Sequence, residues 1–365
     1  MSVGVVYQQA FGSSKAGGEK RLFEIHRGRS SVVWYVQSPC GYEYLDSIKI
    51  EALSVRGMSC RSVYGVLCWC LLMLRIPFDR HEYLHVGLMP FFHIPFLLVR
   101  KYARRVLGKK SPVIVVDFWE FWGATWFRKN KIYGFLGFIV EKFIIRFSDK
   151  LVVISESGLS SLSCVRHKVF FIPNGVNSQC VPLRKTSDRE FDFAYIGRLE
   201  KHKRVDLVVQ VFQYLAEIEP TLRFLIAGTG SDSNRIDEQI AKAQRCDITR
   251  LGKITSDEDV MALFGDAKAF LFFGTQEGGS SIACLEAYAS GCLVFHVEAK
   301  NGVERNFLFE PDTFFVPEGR ADMLARYVYE VMGDITDRSA EVREFVSEKA
   351  WPVISDSYYR SVFYD

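Results

Sequence analysis

The sequence of 365 residues contains no apolar run long enough to cross a bilayer. Its longest run, YGVLCWCLLML at Tyr64–Leu74, has eleven residues, whereas a membrane-spanning helix needs about 20. We therefore expect a buried helix at this position. The opening residues, MSVGVVYQQAFG, are followed by polar ones, so a secretory leader is not expected either.

Cysteine patterns and repeats are lacking as well. The nine cysteines are scattered, and none of their spacings suits a metal site. Their odd number and the apolar neighbours of Cys68 and Cys70 are typical of reduced thiols inside a cell, so we expect a cytoplasmic chain. We find no internal repeat and no low-complexity segment. The net charge of +3 is too small for bulk charge alone to bind a polyanion.

What the chain does have is an uneven distribution of charge. Between Val99 and Leu151 there are twelve lysines and arginines but only four acids, interleaved with the aromatic residues of DFWEFWGATWF (117–127). A basic and aromatic face suits an anionic membrane, which would place the chain peripherally at the inner membrane surface. Solvated helices over an aromatic core would give the same composition, and the sequence leaves both interpretations open.

Several short apolar runs are typical of buried parallel strands, because both faces of such strands are covered. These runs are SSVVWYV (30–36), PVIVVD (112–117), KLVVIS (150–155), KVFFIP (168–173), FDFAYIG (191–197), LRFLIAG (222–228), KAFLFFG (268–274) and CLVFHV (292–297). Helical periodicity lies between them, and SDED (256–259) predicts a capped helix start. Alternating strands and helices predict an α/β fold with doubly wound sheets.

A stretch rich in turn formers, IPNGVNSQCVPLRKTSDRE (172–190), divides the chain into two halves. Each half is large enough for its own Rossmann-like sheet. Two such domains facing across a cleft would bring strand C-termini and helix N-termini to a shared opening. Ligands of open α/β sheets bind at such openings.

Two glycine-rich or basic motifs follow predicted strands. KAGGEKR (15–21) places Gly17 and Gly18 before a helix, whose free N–H groups can receive an anion, although a plain turn is the alternative. GRLEKHKRVD (197–206) places Arg198 and Lys203 between a strand and a helix. Two cations there could clamp a diphosphate, and a solvated basic loop is the alternative.

A third motif, IAGTGSD (226–232), contains Gly228 in a GxG that lacks the third glycine of a dinucleotide fingerprint. It is therefore poor support for a nicotinamide cofactor. We interpret it as a turn at the end of a strand, near the bound nucleotide.

The fourth motif, EGGSSIACLE (277–286), combines a polar turn with the start of an apolar helix. Its glycines could offer backbone N–H groups to an anion, and one of its serines could cap the helix. Glu286 has apolar neighbours, so its carboxylate needs a partner, and the two hydroxyls of a ribose could be that partner. A capped helix with a surface glutamate is the alternative. The candidate donor-binding residues here are Gly278, Gly279, Ser280, Ser281, Ile282 and Glu286.

In this order the segments resemble a retaining glycosyltransferase of the GT-B fold, glycosyltransferase family 4. The resemblance covers most of the chain. It rests on AGGEKRLFEI, SDKLVVISES and VFFIPNGVN, and then on AYIGRLEKHKRVD, LRFLIAGTGSD, LGKITSDEDVMALFGDAKAFLFF and EGGSSIACLEAYASGCLVF. It implies an acceptor-binding domain of residues 1–175 plus 349–365 and a nucleotide-sugar-binding domain of residues 176–348. The last helices would cross back onto the first half of the chain, with a kink at Pro352.

The resemblance also implies roles for matching positions. Arg198 and Lys203 would bind the donor diphosphate and act in catalysis. Glu286 would hold the ribose as the second glutamate of an E-x7-E motif, and Glu277 would be the first, near the transferred sugar. Eight residues rather than seven separate these two glutamates, so Gly278 is the alternative for the first position. The remaining implied donor residues are Gly17 and Gly18 beside the phosphate or acceptor, and Gly252, Lys253 and Ile254 at the base.

One departure from the family concerns the first half of the chain. Similar enzymes often have a histidine there that faces the donor sugar, whereas DFWEFWG (117–123) has Trp119 and Glu120 in that region, and these two are our candidates there for contacting the sugar or the acceptor. His85 and His93 could substitute in contacting the sugar or the acceptor. A structural role is the alternative for each histidine.

The predicted function is the transfer of a hexose from a nucleotide-diphosphate sugar to a hydroxyl acceptor, lipid-linked or on a surface glycan, with retained anomeric configuration. We expect neither a metal nor a cofactor, because two cations and helix ends can stabilise the departing diphosphate. One alternative is another GT-B enzyme such as a sugar-nucleotide epimerase. The other is a non-catalytic basic module that docks on membranes; a nucleic acid partner is not expected.

Overall fold

The structure, a computed structural model, separates the chain into two compact units. One comprises Met1–Pro173 with Ile354–Asp365, and the other comprises Asn174–Val353. The residues that the structure describes are 1–11, 17–39, 49–52, 63–87, 93–119, 121, 127, 131–177, 185–297, 301–316, 318–332 and 339–364.

The first unit is built on a seven-stranded parallel sheet in the order β3-β2-β1-β4-β5-β6-β7. Its strands are β1 (Val3–Phe11), β2 (Val32–Pro39), β3 (Lys49–Ala52), β4 (Tyr83–Gly87), β5 (Val113–Phe118), β6 (Lys150–Val153) and β7 (Val169–Phe171). Its helices are α1 (Gly17–His26), α2 (Val63–Leu72), α3 (Ile94–Val106), α4 (Lys131–Phe147) and α5 (Glu156–Ser161). The order reverses between β1 and β4, because the chain adds β2 and β3 on one side of β1 and then crosses to the other.

The second unit repeats this plan on a six-stranded sheet in the order β10-β9-β8-β11-β13-β15, with a separate pair, β12 and β14. Its strands are β8 (Phe191–Ile196), β9 (Arg223–Ala227), β10 (Asp247–Leu251), β11 (Ala267–Phe272), β12 (Gln276–Gly279), β13 (Leu293–Val297), β14 (Asn301–Val303) and β15 (Thr313–Val316). Its helices are α6 (Val205–Ile218), α7 (Ser233–Lys242), α8 (Asp257–Gly265), α9 (Ile282–Ala289), α10 (Ala321–Met332) and α11 (Ser339–Glu348).

The predicted α/β class with parallel doubly wound sheets is confirmed. Each of the eight apolar runs overlaps a strand, and the central strands are buried on both faces, as in β5 and β13. The predicted capped start at SDED is confirmed too, because the Ser256 hydroxyl accepts a hydrogen bond from the Asp259 N–H at 2.9 Å. This capping serine begins α8.

The end of the chain joins the first unit. Helix α12 (Trp351–Tyr358) runs into a π-helical turn, Tyr359–Phe363, and the Ser355 hydroxyl donates to the Ile25 carbonyl at 2.7 Å. The prediction that Pro352 interrupts the last helices is wrong. The break precedes it at Ala350, which forms a bridge with Val176, and Pro352 lies in the first turn of α12, where no intrahelical N–H bond is lost.

The prediction of a buried helix at Tyr64–Leu74 is correct for one side only. Trp69 and Leu72 of α2 lie in the core of the first unit, but Tyr64 and Leu67 are exposed. A helix that is apolar all round does not reveal which side faces the core. Among the described residues, no helix is both long and apolar enough to cross a membrane.

Candidate functional site

The candidate site lies at one edge of the second sheet. Strands β8 and β11 are neighbours and parallel, so the chain leaves both at the same edge. The strand order reverses between them, because β9 and β10 extend one side of β8 and β11 begins the other. Ligands of open parallel sheets bind at such a reversal, beyond the carboxyl ends of the strands.

The loop after β8 carries the two predicted cations. Arg198 is exposed, and Lys203 is half-buried in a short 3₁₀ turn, Lys201–Lys203, before α6. The Lys203 ammonium lies 5.5 Å from the centre of the Phe272 ring, at the carboxyl end of β11. This distance permits a cation–π interaction, so Lys203 reaches from the end of β8 to the end of the neighbouring strand.

Backbone hydrogen bonds fix this loop against two others. The Leu199 N–H donates to the Thr229 carbonyl at 3.0 Å, and the Thr275 N–H donates to the His202 carbonyl at 3.1 Å. The loops after β8, β9 and β11 are therefore joined by main-chain contacts. The two cations stand on a framework that does not depend on flexible side chains.

Gly228 permits the loop after β9 to pass very close to the loop after β8. Its φ is +129°, and a Cβ placed there would lie 1.9 Å from the Gly197 carbonyl oxygen. Its N–H donates to the Gly252 carbonyl at 3.0 Å, which brings in the loop after β10. The structure thus gives Gly228 a role in joining loops; its proximity to a nucleotide stays a prediction. In the same loop as Gly252, Lys253 is exposed and Ile254 is half-buried.

The motif EGGSSIACLE differs from the predicted turn. Gln276–Gly279 form the short strand β12, which pairs with β14 at Gln276–Asn301 and Gly279–Val303. Gly279 has a φ of +90°, and its carbonyl accepts a hydrogen bond from the Glu304 N–H at 2.8 Å. Only the backbone of Glu277 and Gly278 is described, so the carboxylate of Glu277 lies outside what the structure describes, and the anion nest stays a prediction.

Helix α9 begins directly after this strand. The Ser281 hydroxyl accepts a hydrogen bond from the Cys284 N–H at 3.4 Å, which makes Ser281 the N-cap and Ile282 the first helical residue. Ser280 has a different function: its carbonyl accepts a hydrogen bond from the Asn174 side-chain amide at 3.0 Å. The prediction that one of the two serines caps the helix is confirmed for Ser281.

Glu286 lies in the second turn of α9 and is buried, with 8% of its surface exposed. Its neighbours Leu285 and Ala287 are fully buried. A carboxylate in such surroundings is costly unless polar groups contact it, which suits Glu286, the single acid of this helix, to a specific role.

The corresponding edge of the first sheet has a different chemistry. The half-buried indole of Trp119, directly after β5, lies over Gly18 in α1 and Gly87 at the end of β4. A Cβ on Gly18 would lie 2.1 Å from the Trp119 ring. Gly18 is therefore needed to admit the indole, and Gly17 is exposed beside it. Glu120, the neighbouring candidate, lies outside the described residues.

His85 and His93, the other two candidates for contacting a sugar or an acceptor, lie in the interior of the first unit. Both rings are fully buried. His85 lies in β4 and is hydrogen-bonded to the Tyr358 hydroxyl at 2.8 Å. His93 packs its ring at 6.0 Å from that of Trp69. These positions fit the structural alternative for each histidine.

A buried polar cluster around Asp117 was not predicted from the sequence. Its carboxylate accepts hydrogen bonds from the Arg21 Nε at 3.0 Å and from the Tyr358 hydroxyl at 2.7 Å, and His85 lies 3.1 Å away. Burial alone would raise the pKa of Asp117, but His85 and Arg21 hold it well below its usual range. His26 extends the cluster through a 2.7 Å contact with His85.

This cluster lies directly beneath Trp119, whose indole N–H donates to the Asp117 carboxylate at 3.3 Å. It therefore fixes the orientation of the half-buried ring. An acid at the end of the apolar run PVIVVD was the available sequence signal. The partners are far apart in the chain, at Arg21 and Tyr358, so spacing could not have revealed them.

Two comparisons with known proteins bear on this geometry. Residues 184–347 match the family model described as glycosyl transferases group 1. In addition, 185 residues are 28% identical to a subunit of the phosphatidylinositol N-acetylglucosaminyltransferase of Arabidopsis thaliana, a match that covers 46% of this chain and 40% of that protein. Both matches are to glycosyltransferase sequences, and the chain spans less than half the length of the curated relative that it matches.

Solved structures define the fold. The chain superposes on a sucrose-phosphate synthase from Thermosynechococcus elongatus with a TM-score of 0.77 and 15% identity, covering 100% of this chain and 99% of that one. It superposes on Anabaena Alr3699/HepE in complex with UDP and glucose with a TM-score of 0.75 and 13% identity, covering 99% of both chains. The chain therefore has the GT-B fold.

Proposed function

We propose that this chain transfers a sugar from a nucleotide-diphosphate donor to a hydroxyl acceptor with retention of anomeric configuration, as an enzyme of glycosyltransferase family 4. The observation that carries the proposal is the edge of the second sheet. There Arg198, Lys203 and the start of α9 follow strands that meet at the reversal of strand order, within the stretch that matches glycosyl transferases group 1.

The two cations would act on the departing diphosphate. Negative charge grows on that group as the bond to the sugar breaks, so Arg198 and Lys203 stabilise the transition state more than the bound donor. The N–H groups at the start of α9, with those of Gly278 and Gly279, would add fixed positive dipoles. A site of this kind requires no metal, which is part of the proposal.

Glu286 and Glu277 would fix the rest of the donor. Glu286 would accept hydrogen bonds from the ribose hydroxyls, which are polar groups that suit a buried carboxylate. Glu277 would lie beside the transferred sugar. Gly252, Lys253 and Ile254 would line the pocket for the nucleobase of the donor. A nucleoside diphosphate is favoured by the HepE complexes, which contain UDP, UDP with glucose, or UDP-glucose.

In the reaction, the bond between the sugar C1 and the diphosphate oxygen breaks, and a bond from C1 to the acceptor oxygen forms on the same face of the ring. The acceptor proton passes to an oxygen of the leaving diphosphate. No separate general base is then needed, and the donor leaving group performs that step.

The first unit would bind the acceptor. The half-buried Trp119 ring offers an apolar face on which a sugar can lie, and Gly17 and Gly18 border it. We propose a lipid-linked acceptor or a surface glycan. The name of the Arabidopsis relative, which specifies phosphatidylinositol, favours the lipid-linked acceptor.

The test begins with the donor. A thermal-shift screen of the intact chain with UDP-glucose, UDP-N-acetylglucosamine and other nucleotide sugars should find one that stabilises it; a ligand at 100 times its Kd adds about 2.7 kcal/mol to the free energy of unfolding. The sugar-labelled form of that donor is then incubated with lipid and glycan acceptors. Label that moves to an acceptor supports the proposal.

Two results would overturn it. Label that stays on the nucleotide with an inverted centre in the sugar identifies an epimerase. A complete absence of stabilisation by nucleotide sugars, with no label transferred, removes the donor site from the second unit. The anomeric configuration of the product, read from its C1–H1 coupling, decides between retention and inversion.

A further inference from the structure

Three neighbouring helices of the first unit carry large apolar side chains on their outer sides. Helices α2, α3 and α4 pack on one core, to which they contribute Trp69, Leu98 and Ile144. They are also in contact with each other. The Arg100 guanidinium donates to the Met73 carbonyl at 2.6 Å, and the rings of Tyr102 and Phe147 lie 5.6 Å apart. Their outer sides therefore form one continuous surface.

The exposed residues follow helical spacing on each of the three helices. On α2 and the turn after it they are Tyr64, Leu67, Leu71 and Leu74; on α3 they are Phe96, Val99, Tyr102 and Val106; on α4 they are Ile132, Phe135, Leu136 and Ile139. Steps of three and four residues place each set on one side of its helix. We call these twelve residues the outer apolar face. Scattered exposed apolar residues are ordinary, whereas a contiguous set of this size marks an interaction surface.

Helix α4 shows that this arrangement is not a by-product of core packing. Its inward side carries Gly134, Gly137 and Glu141, which are buried, whereas Ile132 and Phe135 point outward with 73% and 62% exposure. A Cβ on Gly134 would lie 2.2 Å from the Phe127 Cα, so the small residue permits a close backbone approach. In the first half of α4, small residues therefore face the unit, and large apolar residues face away from it.

Positive charge surrounds this surface. Six exposed cations lie on or beside α3 and α4: Arg105, Lys109, Lys110, Lys131, Lys142 and Arg146. The described part of the three helices contains one acid, Glu141, and it is buried. The nearby acids Asp79 and Asp149 form ion pairs with Arg104 and Lys101. The border of the outer apolar face is therefore strongly basic.

We propose that the outer apolar face docks on an anionic lipid bilayer, with α2, α3 and α4 lying in the plane of the interface. Apolar side chains that enter the acyl boundary, together with a basic border at the head groups, are the two terms that hold a helix at such a surface. A second copy of the chain is a poorer partner, because a symmetric contact would bring two basic borders together. The proposal does not depend on the reaction of the second unit.

The test uses the intact chain and flotation with two kinds of vesicle, phosphatidylcholine alone and an equimolar mixture of phosphatidylcholine and phosphatidylglycerol. The chain should float with the mixed vesicles and bind the neutral ones much more weakly. Phe135→Ser with Leu136→Ser should weaken binding to the mixed vesicles roughly tenfold or more. The matched control is Met323→Ser with Tyr329→Ser, two exposed apolar residues of α10 in the second unit, which should bind like the wild type.

Charge is tested separately. Arg105→Gln and Lys142→Gln should each weaken binding to the mixed vesicles roughly fivefold and leave binding to neutral vesicles unchanged, with Arg326→Gln as the control. All these side chains are exposed, so the melting temperatures should stay at the wild-type value.

Three outcomes would overturn the proposal. The wild type could fail to float with mixed vesicles, or the Phe135 and Leu136 variant could float as well as the wild type. Light scattering could also show a dimer that the same variant converts to monomers, in which case a second copy covers this surface.

Discussion

The two units place different chemistry at the same point of the same topology. In the second unit, the reversal of strand order presents Arg198 and Lys203 on loops joined by main-chain hydrogen bonds. In the first unit, the reversal between β1 and β4 is covered by the indole of Trp119. The same strand topology therefore gives the second sheet a cationic edge, held by hydrogen-bonded loops, and the first sheet an aromatic edge, formed by one side chain.

The two edges suit two different kinds of ligand. Charged groups at the carboxyl ends of strands suit a diphosphate, whose charge changes during reaction. An aromatic ring that is held by a hydrogen bond to Asp117 suits a neutral sugar or apolar surface. The comparison can be tested by changing each edge in turn and asking whether rate or stability responds.

Removal of a cation from the second unit should have the largest effect. Lys203→Ala or Arg198→Ala should lower kcat by about 10²- to 10³-fold, which corresponds to about 2.7–4 kcal/mol, because one donor to the transition-state charge is lost. The matched control is Lys201→Ala, an exposed cation of the same 3₁₀ turn. Steady-state kinetics with the donor found by thermal shift provide the measurement, and equal rates for Lys201→Ala and Lys203→Ala would remove the cationic edge from the mechanism.

The rigidity of the two edges can be compared through their glycines. Gly228→Ala should lower the free energy of unfolding by about 3 kcal/mol, because its Cβ meets a backbone carbonyl and its φ is positive. Gly18→Ala should lower it by about 1 kcal/mol, because the obstructing Trp119 ring belongs to a half-buried side chain held by one long hydrogen bond, which can shift more easily than a backbone carbonyl.

Urea unfolding gives both values, and Gly252→Ala is the control, since nothing lies within 4 Å of a Cβ there. Its free energy of unfolding should stay within about 0.5 kcal/mol of the wild type. Equal losses at Gly18 and Gly228 would show that the two edges are equally rigid and would contradict the contrast.

The sequence predicted the cationic edge of the second sheet better than the aromatic edge of the first sheet, for a physical reason. The cations of the second edge follow apolar runs directly, so position along the chain was enough to place Arg198 and Lys203 after a strand. The cluster of the first edge combines Arg21, Asp117 and Tyr358, which are brought together only by folding. Strand β4 was also missed, because the polar His85 interrupts its short apolar run and the buried partners of His85 are brought together only by folding.

The exposed sides of α2 and α4 could not be predicted from the sequence either, although their residues are close together in the chain. Apolar residues of α2 and α4 recur on more than one side of each helix, so periodicity could not distinguish the side that faces the core. The strand β12 was also missed, because Gly278 and Gly279 are typical of turns and its pairing partner β14 lies beyond the next helix and strand.

The buried histidine beneath the first edge should make stability depend on pH. Burial, with His85 next in importance, lowers the pKa of His26 well below its ordinary value of 6.5. Below about pH 6.5 the unfolded chain binds a proton there that the folded chain does not, so the free energy of unfolding falls with decreasing pH by about 1.4 kcal/mol per unit.

His26→Asn should reduce that slope by the same amount, whatever its effect on stability at neutral pH. His167→Asn, at an exposed position, should leave the slope unchanged. Urea unfolding at a series of pH values provides the slopes, and an unaltered slope in His26→Asn would mean that the first edge is not coupled to protons through this residue.

The smallest effect concerns the start of α9. The Ser281 hydroxyl lies 3.4 Å from the Cys284 N–H, whereas the equivalent distance at α8, from Ser256 to Asp259, is 2.9 Å. A longer bond is a weaker cap, so Ser281→Ala should lower the free energy of unfolding by about 0.5 kcal/mol and Ser256→Ala by about 1 kcal/mol. A weak cap leaves the N–H groups of α9 accessible to an anion, as a diphosphate site requires. A loss at Ser281 as large as that at Ser256 would mean that the cap already satisfies the helix, and the cationic edge would then bind the donor without the help of α9.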